Sequence, residues 1–395
     1  MTTYFDALET RSADERAAAQ LAALNTVLGA HGHDALDDLS GLAGLPVLRK
    51  ADLAARQAAE PPFGGLPVRN ATHVFQSPGP IYEPGGSSQD WWRFGRFLHA
   101  AGIGPGDLVQ NCFSYHLTPA GLMFENGARA VGARVLPAGI GQTELQARAA
   151  RDAGSTAYAG TPDYLKVILE AADAAGDTLQ ITRAVVGGGA LFPSLRQYYA
   201  DRGIACLQCY ATADLGNVAY ESPAPGGGLP EGMILDEGVI VEIVTPGTGD
   251  PVAEGEVGEV VVTALNPDYP LLRFATGDMS AVLPGQSPCG RTNTRIKGWM
   301  GRADQTTKIK GMFVRPEQVA ELVSRHPEVT RARVVASREG EADTMTVRLE
   351  TTGTDTDAYA AAVSAVLKLR GTVELVAPGG LPLDGIVIED ARSYD

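Results

Sequence analysis

The sequence is short of positive charge. Its 395 residues carry 32 Lys and Arg against 47 Asp and Glu, which gives a formal net charge of −15 at pH 7. Nucleic acids and anionic membrane surfaces are bound by clustered Lys and Arg, so this balance argues against both kinds of partner. A small anionic ligand is compatible with it, because such a ligand needs only a local positive pocket.

Long apolar runs are also missing. No stretch has the length and apolar character of a transmembrane helix. The N-terminal segment MTTYFDALETRSADERAAAQLAAL is acidic and polar, and it predicts an amphipathic helix rather than a secretory signal peptide. We therefore expect no membrane association and a cytoplasmic protein.

Cysteine is scarce, with four residues at Cys112, Cys206, Cys209 and Cys289. They are too few and too scattered for a disulfide framework. Cys206 and Cys209 form a C-x-x-C, but they lie in an apolar strand-like segment, and no second Cys or His pair has metal-ligand spacing. No structural zinc is expected.

The chain is long enough for a large core and more than one domain. Through its middle, strand-like segments such as DLVQNCFSY, ARVLPAG and RAVVGGG alternate with helical segments such as TELQARAARDAG and DYLKVILEAADAAG. This order predicts an α/β fold, with a parallel sheet covered by helices on both faces and ligands at the carboxyl ends of its strands. The loops expected to face a ligand are Tyr115–His116, Pro137–Gly141, Gly160–Pro162, Gly187–Ala190 and Tyr210–Asp214.

The pattern changes after about residue 232. GVIVEIVTPGTGDPVAEGEVGEVVVTALN has β-branched runs separated by Gly, Pro and Asp, and it predicts antiparallel hairpins in a β-rich subdomain. The tail then alternates helices (PEQVAELVSRHP, DAYAAAVSAVLKLR) with strands (RARVVASR, TMTVRLET, TVELV). We expect a large N-terminal domain over 1–302 and a small, mobile α+β C-terminal lid domain over 303–395.

Five short motifs follow one another along the chain: YATAD (210–214), GEVGE (255–259), RFATGD (273–278), GRADQTTKIKG (301–311) and LPLDG (381–385). Taken singly, these motifs are also typical of ordinary turns. The segment VVGGGA is as typical of a tight strand-to-helix turn as of a binding loop. Their order, however, resembles that of the core motifs in the AMP-forming acyl-CoA synthetases and adenylation enzymes. PVLRKADL, GTPDYL and SPCGRTNTRIKGWMGRAD are most similar to the phenylacetate–CoA ligase branch, and the resemblance covers nearly the whole chain.

The resemblance implies a site for a nucleotide and CoA. The residues in the corresponding positions are Gly187, Gly188, Gly189, Ala190, Tyr210, Asp278, Arg302, Asp304 and Gly311. The glycine-rich run would form a backbone floor beside adenine, Tyr210 would stack on the purine, and Asp278 would accept hydrogen bonds from both ribose hydroxyls. Arg302 would reach the same ribose, Asp304 would be the hinge of the lid, and Gly311 would let the pantetheine arm pass.

The chemistry implied has two half-reactions. A carboxylate attacks the α-phosphate of ATP, which releases pyrophosphate and gives an acyl-adenylate; a CoA thiolate then displaces AMP. Such chemistry depends on cancelling charge through Mg²⁺ and cationic side chains. Asp214 would hold Mg²⁺, and Lys308 and Lys310 near the hinge would supply replacement positive charge. Thr212 is the candidate hydroxyl for phosphate, but it stands one residue before the position of the family's threonine, so its side chain could point elsewhere. The resemblance thus implies ATP/AMP, Mg²⁺, CoA and a small carboxylic acid as ligands, and a homodimer.

The sequence departs from the family pattern where phosphate would bind. The family's phosphate loop reads like S-S-G-T-T-G-K-P, whereas this chain has SPGPIYEP, in which Ser77 and Gly79 remain and Glu83 takes the place of the lysine. Pro78 and Pro80 also remove backbone N–H donors that bind anions.

Two further positions differ. Ala213 stands where the family has a phosphate-contacting threonine, and Ile386 stands where the lid carries a lysine for adenylation. Each lost charge-stabilising contact typically costs about 3 kcal/mol of transition-state stabilisation. Three readings therefore stay open: an acyl-CoA ligase with a modified phosphate site, an ATP-dependent enzyme with a non-CoA, amine-type acceptor, and a catalytically impaired homologue that binds adenylate or CoA.

The acyl pocket would be lined by Tyr115, His116, Ala138, Gly139, Ile140 and Gly160. These side chains are mostly small, with one aromatic ring, so a compact aryl or short acyl acid fits better than a long chain. His116 would gate the pocket or polarise the carboxylate, and a hydrogen-bonded structural histidine is an equal alternative.

Overall fold

The computed structural model describes residues 3–77, 81–305, 307–310, 312–339, 342–382 and 386–392, without the side chains of Asp304, Lys308, Phe313, Glu339 and Ala342. The α-helices of these residues are α1 (Ala13–Ala30), α2 (Lys50–Ala59), α3 (Gly95–Ala100), α4 (Ala120–Ala130), α5 (Thr143–Ala153), α6 (Pro162–Ala174), α7 (Pro193–Asp201), α8 (Pro316–Ser324) and α9 (Thr356–Leu367). Short 3₁₀ helices occupy Ala7–Thr10, Leu39–Gly44 and Ala303–Gln305.

The strands before residue 221 are β1 (Leu48–Arg49), β2 (Ala71–Ser77), β3 (Ile81–Gly86), β4 (Leu108–Asn111), β5 (Arg134–Pro137), β6 (Ala157–Gly160), β7 (Arg183–Val186), β8 (Ala205–Thr212) and β9 (Gly216–Tyr220). Those after it are β10 (Met233–Leu235), β11 (Val239–Val244), β12 (Gly258–Ala264), β13 (Phe274–Ser280), β14 (Val282–Leu283), β15 (Arg295–Ile296), β16 (Thr307–Ile309), β17 (Met312–Val314), β18 (Val329–Glu339), β19 (Ala342–Thr351), β20 (Thr372–Val376) and β21 (Ile388–Asp390).

The N-terminal helix begins later than the sequence pattern indicates. A 3₁₀ turn comes first, and α1 starts only at Ala13, after Ser12. Ser12 and Glu15 form a capping box, in which the Glu15 N–H donates to Ser12 Oγ at 3.2 Å and the Ser12 N–H donates to Glu15 Oε2 at 2.8 Å. The two reciprocal bonds satisfy donors that a helix leaves open at its start, which sets the boundary.

A nine-stranded sheet forms the centre of the molecule, with the order β14-β15-β10-β9-β8-β7-β6-β4-β5. Strands β4 to β8 pair in parallel, which confirms the predicted parallel sheet, and β9 then runs antiparallel to β8. Because β5 lies on one side of β4 and β6 on the other, the chain changes direction between them. Such a switch point is where open α/β sheets bind ligands.

Both faces of this sheet are buried. In β6, Ala157 and Ala159 belong to one hydrophobic cluster, whereas Tyr158 between them belongs to another. Successive side chains of a strand point to opposite faces, so two separate clusters enclose the sheet. This explains why its strands are apolar runs rather than alternating patterns.

A second, four-stranded sheet has the order β1-β13-β12-β11. Its β11 and β12 form an antiparallel hairpin from Val239↔Ala264 to Val244↔Glu259, and β13 adds antiparallel to β12. The predicted hairpin region is therefore confirmed. Helix α2 packs against both β13 and β3, so it connects this sheet to the β2–β3 hairpin.

The C-terminal segment has a hydrophobic cluster of its own, whose buried members run from Ile309 to Ile388. Its sheet has the order β20-β19-β18-β21, with α8 and α9 packed together against it. The predicted helices and strands are present, whereas β21 is an additional strand that sequence reasoning missed. A domain boundary at 302/303 stays a prediction. No helix among the described residues combines the length and apolarity needed to cross a bilayer.

Candidate active site

The predicted ligand loops meet at one edge of the nine-stranded sheet. The last residues of neighbouring parallel strands lie in register, with Asn111 paired to Pro137 and Gly160 paired to Val186. The carboxyl ends of β4 to β8 therefore share one edge, which places the following segments side by side: Tyr115–His116, Ala138–Ile140, Gly187–Ala190 and Tyr210–Asp214.

Asp278, the predicted ribose ligand, is the centre of a hydrogen-bonded cluster. Tyr210 Oη donates to Asp278 Oδ2 at 2.9 Å, while Trp299 Nε1 at 3.0 Å and Arg302 Nη1 at 3.2 Å both reach Oδ1. Burial raises the pKa of the Tyr210 phenol, and the Asp278 charge raises it further, so this hydroxyl stays a donor. Three of the predicted nucleotide residues, Tyr210, Asp278 and Arg302, thus lie together.

Arg302 also fixes the segment that leads into the C-terminal unit. Its Nη1 donates to Thr276 O at 3.2 Å, and its backbone forms an isolated antiparallel bridge with Asp278. Gly277 is needed for this contact, because its φ is +73° and a Cβ there would lie 2.7 Å from Arg302 Nη2. The glycine of RFATGD therefore makes room for the arginine of GRADQTTKIKG.

The run predicted to form the adenine floor follows β7. Gly187 is buried, and a Cβ there would lie 3.0 Å from Cys209 Sγ, whereas Gly188, Gly189 and Ala190 are exposed. Gly188 has a φ of +70°, so this turn requires a residue that tolerates the left-handed region. The exposed backbone beyond Gly187 provides an open platform beside Tyr210 at the sheet edge.

The segment in the position of the phosphate loop is a β-hairpin. Strands β2 and β3 pair antiparallel, with Phe75 opposite Glu83; Pro78, Gly79 and Pro80 lie outside the described residues. Gly85 and Gly86 are required for packing, since a Cβ would lie 2.8 Å from the Trp92 ring and 2.1 Å from the Trp91 ring, respectively. The Gly-rich character of this segment thus has a structural cause at its second strand.

Glu83 points into the protein and not into solvent. Its side chain is 1% exposed, Ser77 Oγ donates to its Oε1, and its Oε2 is buried without a hydrogen-bond partner in the described part of the chain. Burial raises the pKa of Glu83 from its ordinary value of 4.5 to about 7, with a smaller upward effect from Asp214. The residue in the place of the family's lysine is therefore a buried acid.

Asp214, the predicted Mg²⁺ ligand, is paired with a cation that the sequence did not reveal. Lys50 Nζ lies 3.0 Å from Asp214 Oδ2, and Asp214 Oδ1 is buried with no hydrogen-bond partner within the described ranges. Thr212 Oγ1 accepts the Leu215 N–H at 3.1 Å, so this hydroxyl closes the turn after β8. No cluster of three or more His, Cys, Asp or Glu side chains suited to a metal occurs among the residues described.

A cavity of about 480 Å³ lies next to the Asp278 cluster and the Lys50–Asp214 pair. Its wall includes Lys50, Thr276, Gly277 and Arg302, and hence the neighbours of both Asp214 and Asp278. Arg49 lines it too and pairs with the buried Glu259 at 3.3 Å. The lining residues thus contribute three cations and one anion, in a chain whose overall charge is strongly negative.

The residues predicted for the acyl pocket are not among those that line this cavity. Tyr115 Oη donates to Glu125 at 3.0 Å and accepts from Asn111 at 2.8 Å, and burial raises its pKa. His116 and Ile140 are exposed, Ile140 by 67%.

Two of the remaining acyl-pocket residues have backbone roles. The N–H groups of Ala138 and Gly139 both donate to Asn111 O at 3.0 Å, which holds the turn after β5 against β4. Gly160 leaves room for the Tyr158 hydroxyl, which would lie 2.0 Å from a Cβ at that position. The glycine thus has a packing role in addition to its place at the switch point.

The predicted residues of the lid are only partly described. Gly311 and the side chains of Asp304 and Lys308 lie outside the described atoms, while Lys310 is exposed and its N–H donates to Asp343 Oδ2 at 3.2 Å. Ile386 is 39% exposed. Gln305 Oε1 accepts the N–H groups of Val387 and Ile388 at 2.6 and 3.2 Å, so the segment after Ile386 is held by the residue next to Asp304, the predicted hinge.

Sequence reasoning missed Lys50 and Trp299 as site residues. Trp299 lies in GWMGRAD, the same stretch as Arg302, but nothing in its spacing indicates a bond to Asp278. A signal for Lys50 does exist in PVLRKADL: it is the first residue of α2, where the helix dipole disfavours a cation. A lysine at that position calls for a nearby anion.

The chain is similar in sequence to known ligases. A phenylacetate–coenzyme A ligase of Thermus thermophilus is 30% identical over 329 residues, covering 79% of this chain and 72% of that protein. One of Escherichia coli is 30% identical over 385 residues, covering 88% of this chain and 85% of that protein. No family model matches the chain.

A solved structure is similar over almost its full length. It is a 2-hydroxyisobutyryl-CoA ligase in the postadenylation state in complex with 2-HIB-AMP, 23% identical, with a TM-score of 0.80 over 98% of this chain and 92% of its own. This likeness establishes the α/β fold. From its sequence identity to the two ligases, the chain belongs to the phenylacetate–coenzyme A ligase family.

Proposed function

We propose that this protein is an AMP-forming acyl- or aryl-CoA ligase that activates a small carboxylic acid with ATP and transfers it to CoA. The observation that carries the proposal is the Asp278 cluster, in which a half-buried carboxylate, a tyrosine ring and an arginine meet beside a cation-lined cavity. Relatives named phenylacetate–coenzyme A ligases support the acid and CoA as substrates.

In this proposal Asp278 binds the ribose and Tyr210 contacts the purine, with the backbone of Gly187–Ala190 alongside. The cations of the cavity neutralise charge on the phosphates. Arg302 bonds Asp278 from the start of the lid, so the same residue links the ribose site to the hinge. Positioning and charge cancellation of this kind are the main contributions of a protein to phosphoryl substitution.

Mg²⁺ fits the residues present, though sparsely. Asp214 Oδ1 is a buried carboxylate oxygen without a partner in the described part of the chain. Protein sites often hold Mg²⁺ through one or two carboxylates together with substrate phosphates, so a single acid suffices when ATP supplies the other ligands. Bound there, Mg²⁺ would neutralise charge on the phosphates.

The switch point between β4 and β6 is the proposed acyl site. The small residues after β5 and β6 leave room for a short or aromatic acid, with Tyr115 at one wall. An aromatic acid would suit the names of the relatives, and a branched short acid would suit that of the structural neighbour. A cytoplasmic location and a homodimer are part of the same proposal.

A second function has one observation in its favour. Glu83 is buried where the family has a lysine, so the hairpin offers no cation of its own at this position. This supports a homologue that binds adenylate or CoA without turnover.

The deciding experiment incubates the protein with Mg²⁺–ATP, CoA and a panel of aryl and short acyl acids, and measures AMP and thioester by mass spectrometry. AMP and a thioester in equal amounts are expected with at least one acid. AMP without a thioester, released with an amine product when amines are added, would instead identify an amine acceptor. Thermal stabilisation by AMP or CoA without any product would identify the binding protein.

A further inference from the structure

Lys50 lies between a buried acid and an open cavity. Its Nζ is 3.0 Å from Asp214 Oδ2. The Asp214 side chain is 1% exposed, whereas the Lys50 side chain is 41% exposed. The same lysine lines the cavity of about 480 Å³. An ammonium has three N–H donors, of which Asp214 uses one, so the side that faces the cavity keeps donors for another anion.

Lys50 is held in place by the helix that carries it. Gln57, two turns further along α2, donates from Nε2 to Tyr82 O and accepts the Tyr82 N–H, both at 2.8 Å. These bonds fix α2 to β3, the strand of Glu83, and Gln57 is itself only 3% exposed. The ammonium is thus positioned by a rigid element beside the hairpin whose own position 83 carries an acid.

The surroundings of Lys50 favour a phosphate as its second partner. The cavity wall adds Arg49 and Arg302, and Arg302 contacts the proposed ribose ligand Asp278 at 3.2 Å. The cavity wall thus includes Arg302, the partner of Asp278, and Lys50, the partner of Asp214. A nucleotide whose ribose binds Asp278 would therefore have cations of this wall within reach of its phosphates. Lys310, the other candidate with a described side chain, is exposed on the C-terminal unit.

We propose that Lys50 binds the phosphate groups of the nucleotide and supplies the positive charge that Glu83 fails to provide. The ammonium keeps Asp214 as its anchor and donates its remaining hydrogens to phosphate oxygens in the cavity. This inference rests on the proposed function, since it assigns one residue to the phosphate part of the same site. No bond is made or broken by Lys50, which acts through charge and hydrogen bonding alone.

The test compares Lys50→Met and Lys50→Arg with a matched control, Lys166→Met. Lys166 is 43% exposed and also pairs with a carboxylate, Glu170, at 3.6 Å, but on α6 and outside the lining of the cavity. Thermal shifts are recorded with adenosine, ATP and pyrophosphate, and the adenylation half-reaction is followed by ATP–pyrophosphate exchange. These probes separate phosphate binding from nucleoside binding.

The methionine variant is expected to lose the shift caused by pyrophosphate and to keep the shift caused by adenosine. Its kcat/KM for ATP in exchange should fall about a hundredfold, the usual effect of one lost charge-stabilising contact. Arginine should restore part of the loss, and Lys166→Met should behave as wild type. If Lys50→Met is misfolded, Lys50→Gln removes the same charge but keeps a polar side chain beside Asp214, and it must show the same selective loss.

Two results would overturn the inference. One is equal loss of the adenosine and ATP shifts, which indicates a structural ion pair only; the other is behaviour identical to Lys166→Met. If wild type makes no product with any acid yet Lys50→Met abolishes its pyrophosphate shift, the phosphate role stands and the ligase activity fails. A wild type that responds to neither ATP nor pyrophosphate refutes both.

Discussion

Replacing Glu83 with glutamine isolates the free-energy cost of one buried charge. Glutamine has nearly the same shape, and its Oε1 still accepts a hydrogen bond from the Ser77 hydroxyl. Its amide group, however, cannot ionise. The pKa of Glu83 rises on folding from 4.5 to about 7, with burial as the main cause, Asp214 raising it further and Lys50 and Ser77 lowering it. The folded state therefore binds this proton more tightly than the unfolded state.

The sign of the pH dependence follows from that difference. The contribution of Glu83 to stability is fully present below about pH 4.5 and is lost as the pH rises through about 7. Each pKa unit corresponds to about 1.4 kcal/mol, so the charge costs at most about 3.5 kcal/mol at alkaline pH. Glu83→Gln should unfold at a higher urea concentration than wild type at about pH 8.5, and at nearly the same concentration at about pH 4.5.

The assay is urea unfolding followed by fluorescence across this pH range. Glu254→Gln, an exposed acid in the turn before β12, serves as the control and should give a pH-independent difference. A constant offset between Glu83→Gln and wild type at all pH values, or a gain that is largest at acidic pH, would refute a buried Glu83 with a raised pKa.

Three further predictions concern Asp278, Arg273 and Ile386. Asp278→Ala should weaken AMP binding about a hundredfold by calorimetry, because two hydrogen bonds to a charged group are lost. Arg273→Met should lower the free energy of unfolding by about 3 to 5 kcal/mol in urea titrations, because Arg273 is 2% exposed and its loss leaves Glu242, 2.9 Å away, without its counter-ion. Ile386→Lys should raise ATP–pyrophosphate exchange by up to about a hundredfold, by restoring a lid cation.

The Arg273 and Ile386 predictions each have a control that separates the cause. Arg273→Lys keeps a charge but loses the forked bonds to Glu242 and to the backbone, so it should be intermediate; stability equal to wild type would contradict the buried pair. Ile386→Met adds length without charge and should leave exchange unchanged. A rise with methionine, or none with lysine, would show that this missing cation does not limit the reaction.

The fold was largely predictable because it depends on local pattern. Apolar runs such as RAVV read as buried parallel strands, and the alternation with helices specified the order β4 to β8. The hairpin β11–β12 followed from β-branched runs between turn residues. The prediction failed for short elements near the two ends of the chain. Helix α1 starts only after a 3₁₀ turn, and β21 has three residues, Ile388–Asp390, which are too few for a periodic signal.

Residues of the candidate site could be predicted only where they belong to a sequence motif. Asp278, Arg302 and Tyr210 were found by resemblance, and the structure brings them together. The Lys50–Asp214 pair joins residues 164 positions apart, and no local pattern encodes such a contact. The burial of Glu83 and the packing of Gly85 and Gly86 against Trp91 and Trp92 likewise depend on tertiary structure, which no local pattern encodes.

The crowding of Asp278 has a consequence for how a nucleotide enters. A carboxylate offers about four lone-pair positions, and Tyr210, Trp299 and Arg302 already occupy three of them. A ribose brings two hydroxyl donors, so at least one resident donor must leave when the sugar docks. Trp299 and Arg302 both lie in the segment just before the proposed hinge at Asp304, so the departure of either removes a contact between this segment and Asp278. Under the proposed function, ribose binding and these contacts compete for the same oxygens, and by reciprocity any partner that strengthens the contacts must weaken the hold on the nucleotide.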